Sequence, residues 1–277
     1  WGGSFGATVG GVDLSGGVDD DVATALHAAL AEYRVLVIEG QRLSDGAFAQ
    51  LGRLWGRPIE FFKTRDRDAD PPEVIRISNS TTTPERLRDG AMHWHQDSTY
   101  EAVPAAVTLL SAVEAPHGRN ETLFADLTAA FDALPTAQQE QLSSLHVVHD
   151  RRGCAPELLF PDERRGTGGT DEPVPTVTHP LVMCHPVTGR RALYGISGTA
   201  VGIEGMQRHE AIELLIALKQ HALAPQFQQS ATAAVGTVLL WDNLAVMHRA
   251  TATEYSDEPG RRRIIRRIST KMGSTDE

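Results

Sequence analysis

Residues 237–250, TVLLWDNLAVMHRA, and residues 262–270, RRIIRRIST, decide the fold class of this chain. The first reads as an apolar strand over Thr237–Trp241, a tight Asp242-Asn243 turn, and a returning strand over Ala245–His248. The second reads as a strand over Arg263–Thr270. Earlier, residues 5–14 suggest a short strand between glycine turns, and Val35–Ile38, Val74–Ser78, Ala106–Ala112 and Thr122–Ala125 have strand character. Leu181–His185 and Arg191–Ile196 flank the turn Pro186-Val187-Thr188-Gly189 as a hairpin. Helices come early and in the middle. Val22, Leu26, Leu30 and Tyr33 follow three aspartates that suit a helix N-terminus. Ser44 can cap a helix carrying Phe48, Leu51 and Trp55, and Ile212, Leu215 and Leu218 mark another. Thr136 with Gln139 fits a capping box for a helix ending near Leu145. Residues 150–178 carry Gly, Pro and charge without periodicity and read as a long loop. Strands and helices do not alternate, so the pattern predicts an α+β protein around a β-sandwich or barrel.

The chain has 277 residues, 41% of them hydrophobic and 22% charged, enough to bury a core without staples. Its 26 basic and 36 acidic side chains give a net charge of −10, which argues against nucleic acid and anionic membrane as partners. Cys154 and Cys184 alone exclude a disulfide framework and a Cys-rich zinc module. No apolar run reaches membrane-spanning length, and no basic start leads into an apolar core, so a soluble cytoplasmic protein is expected. The first residue is Trp1 and not Met, which is consistent with a segment upstream.

Three constellations carry chemistry. In His93-Trp94-His95-Gln96-Asp97, a strand would point His95 and Asp97 to one face, with His93 beside them if it is regular. One imidazole and one carboxylate are two thirds of a facial triad, which leaves three positions open on an octahedral metal. The plain alternative is a surface or hydrogen-bonded histidine. The second is His248, on the strand after the Asp242-Asn243 turn, whose plain alternative is a satisfied core histidine. The third is the arginine run at 261–267, in which Arg263, Ile265 and Arg267 would share one face and Arg262, Ile264 and Arg266 the other. Guanidinium forks grip carboxylates bidentately, so one face is spaced to take two of them.

Together, His95-Gln96-Asp97, His248 and Arg263 resemble the His-x-Asp…His…Arg signature of the iron(II)/2-oxoglutarate-dependent dioxygenases, in the branch of taurine and 2,4-dichlorophenoxyacetate dioxygenase. WHQDSTY (94–100), ETLFADLTAAFDALP (121–135), THPLVMCHPVTGRRALY (178–194) and LLWDNLAVMHRA (239–250) extend the likeness over about residues 5–270. The resemblance implies a double-stranded β-helix (jelly-roll, cupin-like) core with flanking helices. It implies a single domain over 1–277, with a lid at 150–178. It also implies iron(II) on His95, Asp97 and His248, with 2-oxoglutarate and dioxygen as co-reactants. Thr122 and Arg263 match the positions that hold the distal carboxylate of 2-oxoglutarate. Arg267 matches the arginine near its keto-acid end that also reaches the substrate anion. Fourteen residues separate His248 from Arg263, with the extra length at Ser256–Gly260. Arg261 or Arg262 could take the role instead, but only Arg263 keeps the RRxxxR register. Trp94, Trp241 and Phe124 are candidate hydrophobic walls.

The implied reaction converts 2-oxoglutarate to succinate and CO₂ while oxidising a C–H bond of a small anionic substrate. If that carbon bears an ether or ester oxygen, the product collapses and the net outcome is cleavage. Lys63 falls where the phenoxyacetate-type enzymes carry a pocket lysine, and with Arg267 it could clamp a carboxylate; its plain alternative is a solvated loop lysine. Ala91 stands where the taurine enzymes place an asparagine, which disfavours sulfonate recognition of that kind. Asn79 and His93 are candidates to point inward, and a homo-oligomer is left open. The rivals are a secondary-metabolite enzyme using the same chemistry for desaturation, epimerisation or cyclisation, a silent cupin-like binding protein, and a zinc hydrolase. The last has no use for a strand of paired arginines.

Overall fold

A computed structural model describes residues 3–59, 71–84, 89–116, 121–151, 155–163 and 175–271. The first half contains β1 (Ala7–Val9), α1 (Asp20–Tyr33), β2 (Val35–Ile38), α2 (Asp45–Arg53), β3 (Arg57–Pro58), β4 (Ile75–Ser78), β5 (Val107–Glu114), β6 (Glu121–Asp126), α3 (Leu127–Asp132) and α4 (Thr136–Leu142). Next come β7 (His146–His149), β8 (Val177–Pro180), β9 (Val182–Cys184), β10 (Arg191–Leu193), β11 (Ala200–Ile203) and α5 (Arg208–Ala222). The chain closes with β12 (Gln228–Thr232), β13 (Val238–Asp242), β14 (Val246–Ala250) and β15 (Ile264–Lys271).

The larger sheet runs β1-β2-β13-β5-β15-β3, with β4 also paired to β15. The smaller sheet runs β12-β6-β14 and is extended by one bridge between His95 and His248. Pairing is antiparallel in both except between β1 and β2. Strand alternation explains how the two sheets pack. Leu239, Trp241, Leu110 and Ile265 meet Phe124 and Val246 between the sheets, while their neighbours Leu240, Leu109 and Ile268 turn outward onto Leu30, Phe48 and Leu51 of α1 and α2. A third apolar cluster lies behind the smaller sheet, where Met247 packs with Phe131, Leu193 and Leu215. Each such side chain, fully buried, contributes about 1.5–3 kcal/mol. At Gly52 a Cβ would come within 2.9 Å of Ile268, so α2 lies against β15 as closely as a glycine permits.

The helix caps follow the sequence in two of three cases. Asp19 accepts from the Val22 N–H and Ser44 from the Ala47 N–H. The capping box at Thr136 is not formed: Pro135 is the N-cap residue, and the Gln139 amide donates to the Phe131 and Leu134 carbonyls. Gln139 therefore ties α4 back to α3 instead of closing its own helix. Within the expected loop Pro156–Leu158 forms a 3₁₀ turn, and Val177 and Thr178 already pair with β7 as the start of β8; residues 152–154 and 164–174 lie outside the described residues. No helix among the described residues is long and apolar enough to cross a membrane.

Candidate active site

His95 is not in a continuous strand. Its N–H donates to the His248 carbonyl at 3.0 Å and its carbonyl accepts from the His248 N–H at 2.9 Å, a single rung that sets the imidazole centroids 4.3 Å apart. The strand expected over 93–97 is thus reduced to one bridge, yet Asp97 still reaches the same point. Its Oδ1 lies 3.6 Å from His95 Nε2 and 3.8 Å from His248 Nε2. Among the described residues these form the one group of three whose ligand atoms converge, all within 4.8 Å of one another. Ser98, buried and at φ 56°, turns the chain sharply after Asp97. Gly198, at φ 68°, passes so close that a Cβ there would stand 3.2 Å from His95 Cβ.

Hydrogen bonding fixes which nitrogen of His95 is available. His95 Nδ1 lies 2.7 Å from the His93 carbonyl, which can only accept, so Nδ1 carries a proton and Nε2 is the nitrogen turned toward Asp97 and His248. Burial holds the His248 imidazole well below its ordinary range, with the nearby His95 adding to the effect, so the ring is neutral. Burial pushes the Asp97 carboxyl up, but Arg267, His248 and His95 outweigh it and hold the group ionised well below the usual carboxylate range. Two imidazoles and one ionised carboxylate fit a divalent first-row metal.

Several supports were not singled out from the sequence. Gln96, between the two candidate ligands, points the other way and joins the Asn243 carbonyl at 2.7 Å to the Gly195 N–H at 2.8 Å. The Trp94 N–H donates to Glu163 at 2.5 Å, and Glu163 is paired at 2.5 Å with Lys219 of α5, both side chains fully buried. Thr108 of β5 donates to Asp97 Oδ2 at 2.6 Å. Ser269 of β15, opposite Thr108, lies 2.6 Å from its Oγ1, and the sequence offered one signal for both: polar residues at inward positions of apolar strands.

The arginine strand alternates as expected. Arg266 faces α2, bound to Asp45 at 2.9 Å and to the Leu43 carbonyl. Arg267 faces the site and donates to Asp97 Oδ1 at 2.7 Å. Arg263 lies just before β15; burial lowers its guanidinium to about 10, while Arg261 pairs with exposed Glu254 and Arg262 with Glu114. Thr122 is buried opposite Ala250, and Arg263 lines a small cleft with Ala250 and Thr251. His93 is buried and stacked on His95 at 4.7 Å. Asn79 is buried but does not present a free amide. Its Nδ2 donates to the Glu254 and Arg261 carbonyls, and its Oδ1 accepts from the Arg263 N–H at 2.7 Å, so it clamps the long connection before β15. Lys63 lies outside the described residues. Of the candidate walls, Trp241 packs at 4.6 Å and Phe124 at 6.5 Å from the His248 ring, whereas Trp94 belongs to the cluster behind the smaller sheet.

Residues 2–269 match the family model described as taurine catabolism dioxygenase TauD, TfdA family. The chain belongs to the TauD/TfdA family. It is an iron(II)- and 2-oxoglutarate-dependent dioxygenase, an oxidoreductase that uses O₂. It is 35% identical over 253 residues to an (S)-phenoxypropionate/alpha-ketoglutarate-dioxygenase of Sphingobium herbicidovorans, covering 90% of this chain and 86% of that one (alpha-ketoglutarate is 2-oxoglutarate). It is 29% identical over 279 residues to a pentalenolactone F synthase of Streptomyces arenae, covering 96% and 92%. A crystal structure of AAD-2 in complex with Mn(II) and N-oxalylglycine superimposes with a TM-score of 0.79 at 28% identity, covering 98% and 95%. The match to the dioxygenase model embraces both candidate ligand segments and the arginine strand.

Proposed function

We propose that this TauD/TfdA dioxygenase oxidises a small carboxylate-bearing substrate, with His95, Asp97 and His248 as the iron ligands. The convergence of their ligand atoms within 4.8 Å carries the reading. The strand orders support a double-stranded β-helix within a single domain: β4-β15-β5-β13 faces a second layer of the His95 segment, β14, β6 and β12. Bound iron(II) supplies the redox chemistry that couples 2-oxoglutarate decarboxylation to C–H oxidation. The protein's own residues bind, orient and exclude. His95 and His248 would offer ring nitrogens, and Asp97 the balancing charge. Arg263, with Thr122 beside the same Ala250, takes the distal carboxylate of 2-oxoglutarate. Arg267, which lies against Asp97, would bind the keto-acid end of 2-oxoglutarate and the substrate anion. Trp241 and Phe124 keep water from the His248 side. His93 and Lys63 remain proposed substrate contacts, and residues 150–178 a proposed lid.

The sequence relative that acts on phenoxypropionate, and Ala91 in place of an asparagine, support a carboxylate over a sulfonate. The pentalenolactone F synthase relative supports a second reading, a tailoring oxygenase in secondary metabolism that desaturates, epimerises or cyclises. Succinate formation from 2-oxoglutarate across matched carboxylates, sulfonates and uncharged compounds separates the two. Stimulation by carboxylates supports the first reading. Stimulation by uncharged compounds alone refutes it.

A further inference from the structure

Thr108 sits at the centre of the larger sheet, directly opposite Ser269 of β15 on one side and Trp241 of β13 on the other. It is fully buried, as is Asn243, and Ser269 and Asp97 are nearly so. The hydrogen bonds that meet at these groups can be assigned their directions without choice. The Trp241 indole N–H can only donate, and it lies 3.0 Å from Asn243 Oδ1. The Asn243 amide therefore turns its Nδ2 to Thr108 Oγ1, at 2.9 Å. Thr108 gives its single proton to Asp97 Oδ2 at 2.6 Å. Ser269 Oγ, 2.6 Å from Thr108 Oγ1, must then donate to it, and itself accepts from Arg267 Nη2 at 3.2 Å. A hydroxyl has one proton and two lone pairs, and Thr108 uses all three.

We infer that Thr108, aligned by Asn243 and Ser269, is a positioning residue that makes Asp97 a one-oxygen metal ligand. This rests on the reading of His95, Asp97 and His248 as the metal site. Thr108 holds Oδ2, while Oδ1 is the oxygen that faces both Nε2 atoms. The geometry matters because the cosubstrate and dioxygen need three positions on an octahedral metal. Two imidazoles and one carboxylate oxygen leave three. A carboxylate that swung to chelate through both oxygens would leave two, one fewer than the reaction requires. Three adjacent strands supply the restraint, so it is as rigid as the sheet.

The test is Mn(II) binding by purified protein, followed by titration and by Mn(II) electron paramagnetic resonance, with folding checked by thermal unfolding. Outer partners of metal ligands typically change affinity by about 10–100-fold when removed. Thr108→Val keeps the shape and removes the donor, so it should weaken Mn(II) binding in that range. It should also weaken 2-oxoglutarate binding to the Mn(II)-loaded protein. Thr108→Ser restores the hydroxyl and should stay within about threefold of the parent. Ser269→Ala leaves the Thr108–Asp97 bond but removes its alignment, and should weaken Mn(II) binding several-fold; it decides the matter if the valine variant does not fold. A folded Thr108→Val, or a folded Ser269→Ala where valine fails, with parental Mn(II) affinity would overturn the inference. So would Thr108→Ser as damaged as valine. Asp97→Ala separates the two claims: parental Mn(II) binding there refutes the ligand set itself, whereas its loss with Thr108→Val unaffected refutes the positioning role alone.

Discussion

Replacing Asn79 by alanine tests a candidate substrate residue whose amide is hydrogen-bonded to the backbone around Arg263. Asn79 makes three hydrogen bonds across more than 170 residues of sequence, to the Glu254 and Arg261 carbonyls and from the Arg263 N–H. A hydrogen bond contributes about 0.5–1.5 kcal/mol net, so three would give about 2–4 kcal/mol. Glu254 and Arg261 are exposed, and water can replace the amide there, so about 2 kcal/mol is the better figure. For a chain of this size that lowers the thermal midpoint by about 4–8 °C. The functional effect should be specific. Losing the clamp loosens the backbone of Arg263, so the 2-oxoglutarate requirement should rise while Mn(II) affinity stays parental. Differential scanning calorimetry and a 2-oxoglutarate titration read the two effects. Parental stability with a raised KM for the primary substrate alone would restore Asn79 to the substrate pocket and refute the clamp.

Other expectations follow from single groups. Lys219→Met should destabilise the fold by about 3–5 kcal/mol, measured by urea unfolding, because Glu163 would be left buried and charged. Adding Glu163→Gln should recover part of that loss. Arg263→Ala should raise the 2-oxoglutarate requirement by about 30-fold or more, the cost of truncating a charge-assisted pair, while Arg261→Ala, whose partners are exposed glutamates, should not. If Arg261→Ala has the larger effect, the register of the arginine strand is misassigned. Burial, with His179 adding to it, lowers His149 from 6.5 to about 3. Between those values the unfolded chain binds a proton that the folded chain does not. Stability should therefore rise with pH across that window and fall, by up to about 1.4 kcal/mol per unit, as pH drops below 6.5. His149→Gln should flatten the dependence of the urea midpoint between pH 7 and 5; an unchanged slope would contradict the assignment.

The strands of the larger sheet were legible because burial writes itself into their composition. Leu239, Leu240 and Trp241 face two different cores, so the run is apolar throughout and cannot be mistaken for a surface strand. The faces of Arg266 and Arg267 followed from the two-residue repeat alone. Other features depend on contacts far apart in sequence. The His93–Asp97 segment looks like a strand, but its extended shape comes from one rung with His248, and its turn from the positive φ of Ser98. Thr136 and Gln139 have the spacing of a capping box, yet the Gln139 amide finds carbonyls in the preceding helix. Nothing local marks Asn79 as the clamp for a connection that returns after residue 250, or Thr108 as the partner of Asp97.

The central claim is that His95, Asp97 and His248 hold the iron that drives 2-oxoglutarate turnover. Its most direct test measures, on the same preparations, iron(II) bound per chain and succinate formed from 2-oxoglutarate and oxygen, for the parent and for Asp97→Ala. The parent should bind one iron per chain and form succinate. Asp97→Ala, still folded, should lose both. A folded Asp97→Ala protein that keeps its iron and forms succinate at the parental rate would contradict the account.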